Sequence, residues 1–343
     1  MITIYSEDHR LRAAKTELSD GQLVTPFECP ERMDMILDSL KSRGFGDIRP
    51  PKAHGLGPAA RVHDAGYLRF LETVWTEWEA GGRAGEAMAY TWPMRRMTDR
   101  PPEAIEGRIG YYSLSADTAI SAGTWEAAQA SADVALTAGA LVADGAPAAF
   151  ALCRPPGHHA ARDLFGGYCF LNNAAIAAQA ARDAGAECVA ILDVDFHHGN
   201  GTQDIFYDRG DVFFASLHGN PRDTFPYFLG YADETGAGAG EGTNLNLPMS
   251  PGTPWVEWSA ALETALAAID TFGPDLLVVS FGADTFEDDP ISFFKLTSDD
   301  YTRLGARLAA ARRPTLIVME GGYAVGDLGT NTVNLLEGFD AGS

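Results

Sequence analysis

The sequence predicts an α/β fold: a single three-layer domain in which helices cover both faces of a mostly parallel central sheet. From about residue 147 onward, short β-rich runs alternate with alanine-rich stretches of helical composition, the order of elements found in such folds. Each apolar run ends at polar or glycine-rich sequence, as buried parallel strands do. No internal repeat or low-complexity linker divides residues 1–343, so we predict one domain.

The predicted elements follow one another in a regular order. A first strand is expected in residues 1–6. Two alanine-rich stretches, 171–185 and 258–270, are predicted helices, and Gly185 closes the first of them. The later candidate strands are residues 148–153, 188–195, 212–218, 275–281 and 315–320.

Composition limits the possible classes of protein. No apolar run approaches the ~20 residues of a membrane span, so we expect a soluble chain. The N-terminus lacks the basic start and apolar stretch of a secretory signal, which predicts a cytoplasmic location. The four cysteines contain no C-x-x-C pair, which argues against a disulfide framework or a cysteine-bound zinc and predicts buried free thiols.

The chain is strongly acidic, with 47 acidic against 25 basic residues and a formal net charge of -22. Such a charge repels nucleic acid and anionic membranes, so neither is an expected partner. It would attract a small cationic substrate. Acidic surfaces also aid solubility, and composition alone leaves both explanations open.

Residues 80–110 interrupt the regular order with glycines, prolines, paired arginines and aromatic residues that have no clear period. We predict a long loop or insertion here. Loops longer than about 12 to 15 residues in compact domains tend to be functional or disordered. The side chains of Trp92, Met94 and Met97 favour a surface that meets a partner.

Polar side chains follow the predicted strand ends, and open parallel sheets bind ligands at the carboxyl ends of their strands. Five of the eight histidines lie between positions 158 and 218. Asp195 and His197 are two residues apart, hence on the same side of extended chain, and Asp284 follows another strand. Three such ligands leave a fourth position for water, as a catalytic zinc site requires. A D-x-H pair alone also fits a helix cap beside a solvated histidine, but the third carboxylate and the paired histidines favour the metal.

His158 and His159 follow the rigid turn at residues 155–157, which would fix both rings near the metal. One ring could act as general base while its neighbour carries positive charge that stabilises an anionic transition state. Asp193 and Asn200 could orient the two rings from behind. The alternative for the His-His pair is an ordinary surface loop.

Tyr323 ends the last apolar run, in E-G-G-Y at residues 320–323. A phenol can hydrogen-bond a developing oxyanion without carrying a charge, and the position at the carboxyl end of a strand favours this role over simple packing. His198 has no assigned chemistry, and we expect it to be structural or to support the ligands.

As an ordered set, these motifs resemble the zinc-dependent histone deacetylase superfamily, which has the arginase/deacetylase fold. The resemblance extends from about residue 147 to the end, with H-D-A-G-Y-L at residues 63–68 as an earlier match. The motifs that carry it are R-P-P-G-H-H-A (154–160), G-G-Y-C-F-L-N-N (166–173), D-V-D-F-H-H-G-N-G-T-Q (193–203), S-L-H (216–218), the segment around Asp284 and E-G-G-Y (320–323).

The resemblance implies that the three ligands hold one zinc ion, with His159 as general base and acid and His158 as its electrostatic partner. Tyr323 would polarise the acetyl carbonyl. Asn200 stands where some branches of the superfamily have a second aspartate behind the catalytic histidine. The branch with asparagine includes active deacetylases, so this departure does not argue against catalysis.

By the same resemblance, the main-chain carbonyl of Gly167 would accept the N–H of the scissile amide. Tyr168 and Phe225 would form the walls of a channel for an aliphatic amine chain. A structural potassium ion is also implied. Its ligands would include Asp193, Ser216 and Leu217.

Arginase-like ureohydrolases share this fold but bind two manganese ions through additional carboxylates. In this sequence Gly199 and Phe286 stand where the second ion would need acidic ligands. A mononuclear site favours amide hydrolysis by a metal-activated water over guanidine chemistry.

The strong acidity and the 80–110 insertion resemble the bacterial acetylpolyamine amidohydrolase branch of the superfamily. In that branch the insertion belongs to a homodimer interface that narrows the mouth of the active site. The resemblance implies that Glu106 and Asp117 face the cationic amines of the substrate. Ordinary solvated surface is the alternative for both residues.

We therefore predict a zinc-dependent amidohydrolase that deacetylates acetylputrescine, acetylcadaverine or acetylspermidine. The alternative enzyme is a deacetylase of acetyl-lysine in proteins or of another small amide. A third possibility is a polyamine-binding protein that uses the metal without hydrolysis. The sequence leaves open which polyamine is preferred and whether Zn²⁺, Fe²⁺ or Co²⁺ is bound, because these ions suit the same ligands.

Overall fold

A computed structural model describes residues 1–342, and its centre is one eight-stranded parallel sheet. The strand order is β4-β1-β5-β10-β9-β6-β7-β8. A separate antiparallel hairpin pairs β2 with β3. The strands are β1 (Ile2–Ile4), β2 (Glu17–Ser19), β3 (Gln22–Val24), β4 (Ile48–Arg49), β5 (Ala148–Ala151), β6 (Val189–Asp193), β7 (Val212–Gly219), β8 (Asn244–Met249), β9 (Leu276–Phe281) and β10 (Thr315–Met319).

Helices cover both faces of this sheet. They are α1 (Glu31–Ser42), α2 (Ala65–Ala80), α3 (Ile105–Tyr111), α4 (Thr124–Ala143), α5 (Asn173–Asp183), α6 (Asn200–Phe206), α7 (Trp255–Phe272), α8 (Ser298–Ala309) and α9 (Val325–Gly342). Within residues 1–342, none of them combines the length and apolar composition that crossing a bilayer requires.

The alternation of side chains along the strands creates two hydrophobic cores. In β6, Val189 and Ile191 pack into the core that contains buried residues of α2, α4 and α5. Ala190 and Leu192 point the other way, into the core shared with α1, α7, α8 and α9. Because the strands are apolar on both faces, the sheet can only be buried between two layers of helices. The predicted three-layer α/β fold is confirmed.

The observed strands are shorter than predicted at several ends, and one difference affects the site. The strand predicted over residues 188–195 stops at Asp193, where the side-chain Oδ1 accepts a hydrogen bond from the amide of Asp195 at 3.1 Å. Asp195 and His197 therefore lie in a bend. The prediction that extended chain places their side chains on the same side was wrong. Main-chain hydrogen bonds to carboxylates bring the two side chains together instead.

The segment between α2 and α3, residues 81–104, is irregular as expected, but the last part of the predicted 80–110 loop forms helix α3, Ile105–Tyr111. A bridge between Ala87 and Ile120, together with hydrogen bonds from the amides of Lys15 and Thr16 to the Glu86 carboxylate, ties the irregular segment to the domain. Tyr90, Met94 and Met97 are exposed. All four cysteines are free, but only Cys153 and Cys169 are buried, which corrects the expectation for the other two.

Candidate active site

Three potential metal ligands meet at the carboxyl ends of β6 and β9. Asp195, His197 and Asp284 are buried, and one ligand atom from each lies within 4.8 Å of the others. The His197 ring turns Nδ1 toward both carboxylates, at 3.0 Å from Asp284 Oδ2 and 3.4 Å from Asp195 Oδ1. The chain thus brings together the three side chains predicted to bind the ion.

Main-chain amides fix the two carboxylates. Asp195 accepts hydrogen bonds from the amides of His197 at 2.8 Å and Gly321 at 2.9 Å, and Asp284 accepts one from Phe196 at 2.8 Å. A Cβ atom at Gly282 or at Gly321 would collide with the Asp195 carboxylate. Glycine is therefore needed after β9 and after β10 to leave room for the charged groups.

The electrostatics of this cluster fit one divalent cation. Burial, together with the neighbouring Asp195 carboxylate, raises the pKa of Asp284, because two adjacent buried carboxylates repel each other. A cation would relieve that repulsion. Two carboxylates and an imidazole form a donor set suited to zinc and to similar transition metals. Gly199 supplies no carboxylate and Phe286 is buried, so the positions considered for a second ion offer no acidic ligand.

His159 stands beside the metal ligands with its tautomer defined by Asn200. Its Nδ1 lies 2.7 Å from the Asn200 Oδ1, while the Asn200 amide group donates to the His159 carbonyl at 3.3 Å. An amide oxygen only accepts, so Nδ1 carries the hydrogen and Nε2 of the neutral ring is free to accept a proton. Burial, and the charges of His158 and His197, hold the pKa of His159 well below its ordinary value.

His158 has the opposite electrostatic environment. Its Nδ1 lies 3.0 Å from Asp193 Oδ2, and its ring centroid lies 4.0 Å from that of His159. Burial opposes the charged form, but the Asp195 and Asp193 carboxylates outweigh it and raise the pKa of His158 to about 10. The two adjacent imidazoles therefore have pKa values shifted in opposite directions, which favours the cationic form of His158 and the neutral form of His159.

Tyr323 enters the site from the loop after β10. Its backbone amide donates to Asp289 Oδ2 at 2.7 Å, and the guanidinium of Arg32 lies 5.0 Å from its ring centroid. Its hydroxyl has no hydrogen-bond partner among residues 1–342. Burial raises the pKa of Tyr323 well above its ordinary value, which keeps the phenol neutral and able to donate.

The predicted channel residues border His159 and Tyr323. The Phe225 ring packs edge-on against His159 at 5.0 Å, and the Tyr168 ring lies 5.5 Å from Tyr323. Gly167 has φ +52°, and a Cβ atom there would collide with the His159 ring. Only glycine therefore allows this stretch of main chain to pass so close to the base.

Asp117 and Glu106, the two acidic residues expected to face the substrate, differ in whether hydrogen bonds link them to the predicted channel. Asp117 accepts hydrogen bonds from Ser115 at 2.6 Å and Thr118 at 2.7 Å, and Thr118 in turn accepts one from the Tyr168 amide. Glu106 lies on α3 and is ion-paired with Arg83. Within residues 1–342 it contacts none of the catalytic or metal-binding side chains, so the chain alone does not bring Glu106 to the site.

The expected potassium ligands are neighbours across two strands. Asp193 pairs with Ser216 in the register of β6 and β7, and Leu217 follows on β7. His218 Nε2 lies 2.8 Å from the carbonyl of Gly230, so this nitrogen carries the hydrogen and Nδ1 accepts from the Ser216 hydroxyl. The lone pairs of the Ser216 oxygen remain available for a cation.

Three buried carboxylates at the site were not predicted. Glu320 accepts the amides of Gly157 at 2.6 Å and His158 at 3.2 Å, and so fixes the histidine loop. Glu17 accepts the Tyr168 hydroxyl at 2.8 Å, and Asp289 holds the Tyr323 loop. Glu320 lies in the E-G-G-Y motif and Glu17 in A-K-T-E-L (14–18), a stretch that also resembles the acetylpolyamine branch, but neither was predicted as a site residue. Asp289 had no sequence signal.

The chain is similar to known proteins over nearly its whole length. Residues 26–339 match the family described as "Histone deacetylase domain". Curated relatives named acetylpolyamine amidohydrolase are 60% identical in Mycoplana ramosa, over 98% of this chain and 99% of the relative, and 54% identical in Pseudomonas aeruginosa, over 99% of both. A crystal structure of acetylpolyamine aminohydrolase from Burkholderia pseudomallei superposes with a TM-score of 0.95 at 43% identity, covering 100% of this chain and 99% of that one.

Proposed function

Because this chain belongs to the histone deacetylase domain family and is therefore a hydrolytic deacetylase, we propose that it acts on small acetylated polyamines. The observation that carries the chemistry is the buried site itself. Three potential ligand side chains lie beside His159, whose Nδ1 faces Asn200, and His158, whose Nδ1 faces Asp193. The nearby Tyr323 hydroxyl has no hydrogen-bond partner among residues 1–342. The products are acetate and a free amine.

We propose zinc as the ion, one per chain, held by Asp195, His197 and Asp284. When bound, zinc would polarise the acetyl carbonyl and lower the pKa of a water molecule. His159 Nε2 would accept a proton from the attacking water and later deliver it to the amine nitrogen as the C–N bond breaks. Its firm orientation by Asn200 supports this role, because the accepting nitrogen is then the one that points away from Asn200.

Two further groups would stabilise the negative charge that develops on the acetyl oxygen. Tyr323 would donate a hydrogen bond to this oxygen, and the lack of a partner for its hydroxyl within the described residues supports this role. His158 would act through its fixed positive charge, which Asp193 supports. The Gly167 carbonyl would accept the amide N–H and so orient the scissile bond.

Substrate choice rests on charge and on the channel. The relatives with the highest identity given above carry acetylpolyamine in their names, and the net charge of -22 favours cationic amines. Asp117 is supported as a contact for the distal ammonium because Thr118 links it to the channel residue Tyr168. For Glu106, a role requires that Arg83 release it or that a second chain bring it to another site.

We also propose a homodimer through residues 81–104 and a structural potassium ion at Asp193, Ser216 and Leu217. Exposed Tyr90, Met94 and Met97 support the dimer, because apolar side chains of this size are enriched in interfaces. A molecular mass in solution equal to one chain would remove the dimer from the proposal. A cytoplasmic location likewise stays a prediction.

The test is acetate release from acetylputrescine, acetylcadaverine, acetylspermidine and an acetyl-lysine peptide by the zinc-loaded protein. We expect kcat/KM to be higher for the small amines than for the peptide. A higher kcat/KM for the peptide would indicate a protein deacetylase. Zinc binding without acetate release from any of these substrates would favour a polyamine-binding protein.

A further inference from the structure

His198 is a buried histidine that faces away from the proposed metal and has no part in the chemistry above. Its Nε2 lies 3.1 Å from the Asn246 Oδ1, and its ring centroid lies 4.5 Å from that of His218. The residue follows a metal ligand directly, yet its hydrogen bond leads to β8. The His198 side chain is therefore connected to β8 and not to the metal ligands.

The hydrogen bonds continue from Asn246 into a compact polar cluster. Its amide group donates to Gln203 Oε1 at 2.8 Å and to the Tyr231 carbonyl at 3.1 Å. Gln203 in turn donates to Glu234 Oε2 at 2.7 Å. The cluster thus joins the metal-binding segment, α6 and β8 to residues beyond β7.

The same cluster holds the loop at Gly230 through both of its main-chain polar groups. The Gly230 amide donates to Glu234 Oε2 at 2.9 Å, and the Gly230 carbonyl accepts from His218 Nε2 at 2.8 Å. Gly230 has φ +104°, and a Cβ atom there would lie only 2.8 Å from His198 Cγ. Gly230 therefore packs directly against the rings of His198 and His218.

The loop at residues 220–234 carries a proposed wall of the channel. Its first residue donates from the Asn220 amide to the Met249 carbonyl at 2.8 Å, and its other end is held at Gly230 and Glu234. Between these two attachments stands Phe225, packed edge-on against His159. Exposed Tyr227 and Phe228 follow it, so the outer side of the loop has little packing to hold it.

We infer that this cluster, the loop anchor, positions Phe225 against the catalytic base and so sets substrate affinity. The loop anchor consists of His198, Gln203, His218, Glu234 and Asn246. These are positioning residues, because they act through Phe225 and, within residues 1–342, their side chains make no hydrogen bond to Asp195, His197 or Asp284. His218 does accept a hydrogen bond from Ser216. The inference rests on the proposed function in one respect, the role of Phe225 as a channel wall.

Glu234 offers the cleanest way to break the loop anchor. It is half-buried, and its Oε2 accepts from Gly230, Gln203 and Asn246. Its removal leaves the Gly230 amide and the Gln203 side-chain amide without an acceptor, whereas Asn246 keeps its bonds to Gln203 and Tyr231. The neighbouring Asp233 is exposed and makes none of these bonds. Asp233→Ala removes the same charge one residue away and serves as the matched control.

The first measurement is steady-state kinetics on an acetylated amine that the native enzyme hydrolyses. We expect Glu234→Ala to raise KM about tenfold, because the loop must be ordered on binding, while kcat changes by no more than about twofold. Asp233→Ala should match the native enzyme. In a Phe225→Ala background, Glu234→Ala should have almost no further effect on KM, since the wall that it positions is absent.

The second measurement is hydrogen exchange of the main-chain amides, which needs no substrate. Glu234→Ala should exchange faster at residues 224–231 and unchanged at residues 157–159. If the native enzyme hydrolyses no acetylated amine, the proposed function fails and exchange alone decides the loop anchor. Unchanged exchange at 224–231, a full rise in KM in the Phe225→Ala background, or an equal effect of Asp233→Ala would overturn it. Glu234→Gln, which keeps one acceptor, replaces Glu234→Ala if the latter does not fold.

Discussion

The centre and the rim of this active site are built differently. At the centre, Asp195, His197 and Asp284 are buried, and main-chain amides hold each carboxylate. At the rim we group the two proposed substrate contacts, Asp117 and Glu106; Glu106 is partly exposed, and its charge is matched by Arg83 from the irregular segment. One chain brings the three potential metal ligands together at the centre, whereas the proposed rim residue Glu106 is held only by an ion pair that is partly exposed.

This difference predicts how strongly each region responds to substitution. Charges inside a dry site interact strongly, so the loss of one group at the centre should cost orders of magnitude in rate. Exposed charges at the rim are screened by water and salt, so they should alter substrate affinity by small factors. A large change in activity from a substitution at the rim, or a small one from a substitution at the centre, would contradict this difference.

Asp284→Asn should have the largest effect. Loss of one of two carboxylate ligands should lower kcat/KM at least about 1000-fold, ~4 kcal/mol, together with the bound metal. Metal content by mass spectrometry and acetate release measure both. The exposed Asp288 provides a control, because Asp288→Asn removes the same charge four residues away. Full metal content with native activity in Asp284→Asn would remove Asp284 from the ligand set.

Tyr323→Phe should reduce kcat about 100-fold with a small change in KM, because the hydrogen bond forms mainly in the transition state. Since the hydroxyl has no partner within residues 1–342, its removal should leave the melting temperature unchanged. Kinetics and thermal unfolding of the same preparation separate the two effects. A kcat within about twofold of native would exclude Tyr323 as the oxyanion donor.

Asp117→Asn tests the rim. We expect KM for an acetylated diamine to rise about threefold, with kcat unchanged and with a smaller effect at high salt. Asp144 is exposed at the C-terminal end of α4, so Asp144→Asn controls for the change in net charge. Equal KM changes in both variants would mean that Asp117 acts only through the overall charge.

Glu17→Gln should produce the smallest effect, on stability. Burial raises the pKa of Glu17 from 4.5 to about 6, so its protonated form is favoured in the folded chain. The stability that this contributes is present below pH 4.5 and is lost as pH rises through 6. Glu17→Gln removes the ionisable group, so the stability of the variant does not fall in this way. Its melting temperature minus that of the native protein should therefore increase by about 1–3 °C between pH 4.5 and pH 6. A constant difference would contradict the raised pKa.

The sequence predicted the centre better than the rim for a physical reason. Asp195, His197 and the His158–His159 pair lie in short motifs at strand ends, and a parallel sheet gathers such ends at one edge. The position of Glu106 depends on its ion pair with Arg83, 23 residues away, for which no pattern exists. Glu17 reaches Tyr168 across 151 residues and was equally inaccessible to pattern analysis.

The fold was predicted in class but not in every element. The long runs of β6, β9 and β10 are apolar on both faces, which is a strong signal. β8 was missed because its sequence, N-L-N-L-P-M, contains Pro248 and two asparagines, which are tolerated at the edge of the sheet. α4 was not predicted because most of its alanine-rich sequence is buried, so it shows little of the apolar–polar period of a surface helix.

The central claim is that one metal ion in the buried triad makes this chain an amidohydrolase of small acetylated amines. The most direct measurement is a zinc titration of metal-free protein, followed by acetate release from acetylputrescine. We predict that activity rises linearly to one equivalent per chain and then stays constant, and that Asp284→Asn stays inactive throughout. Full activity without metal, or a requirement for two equivalents, would contradict the account.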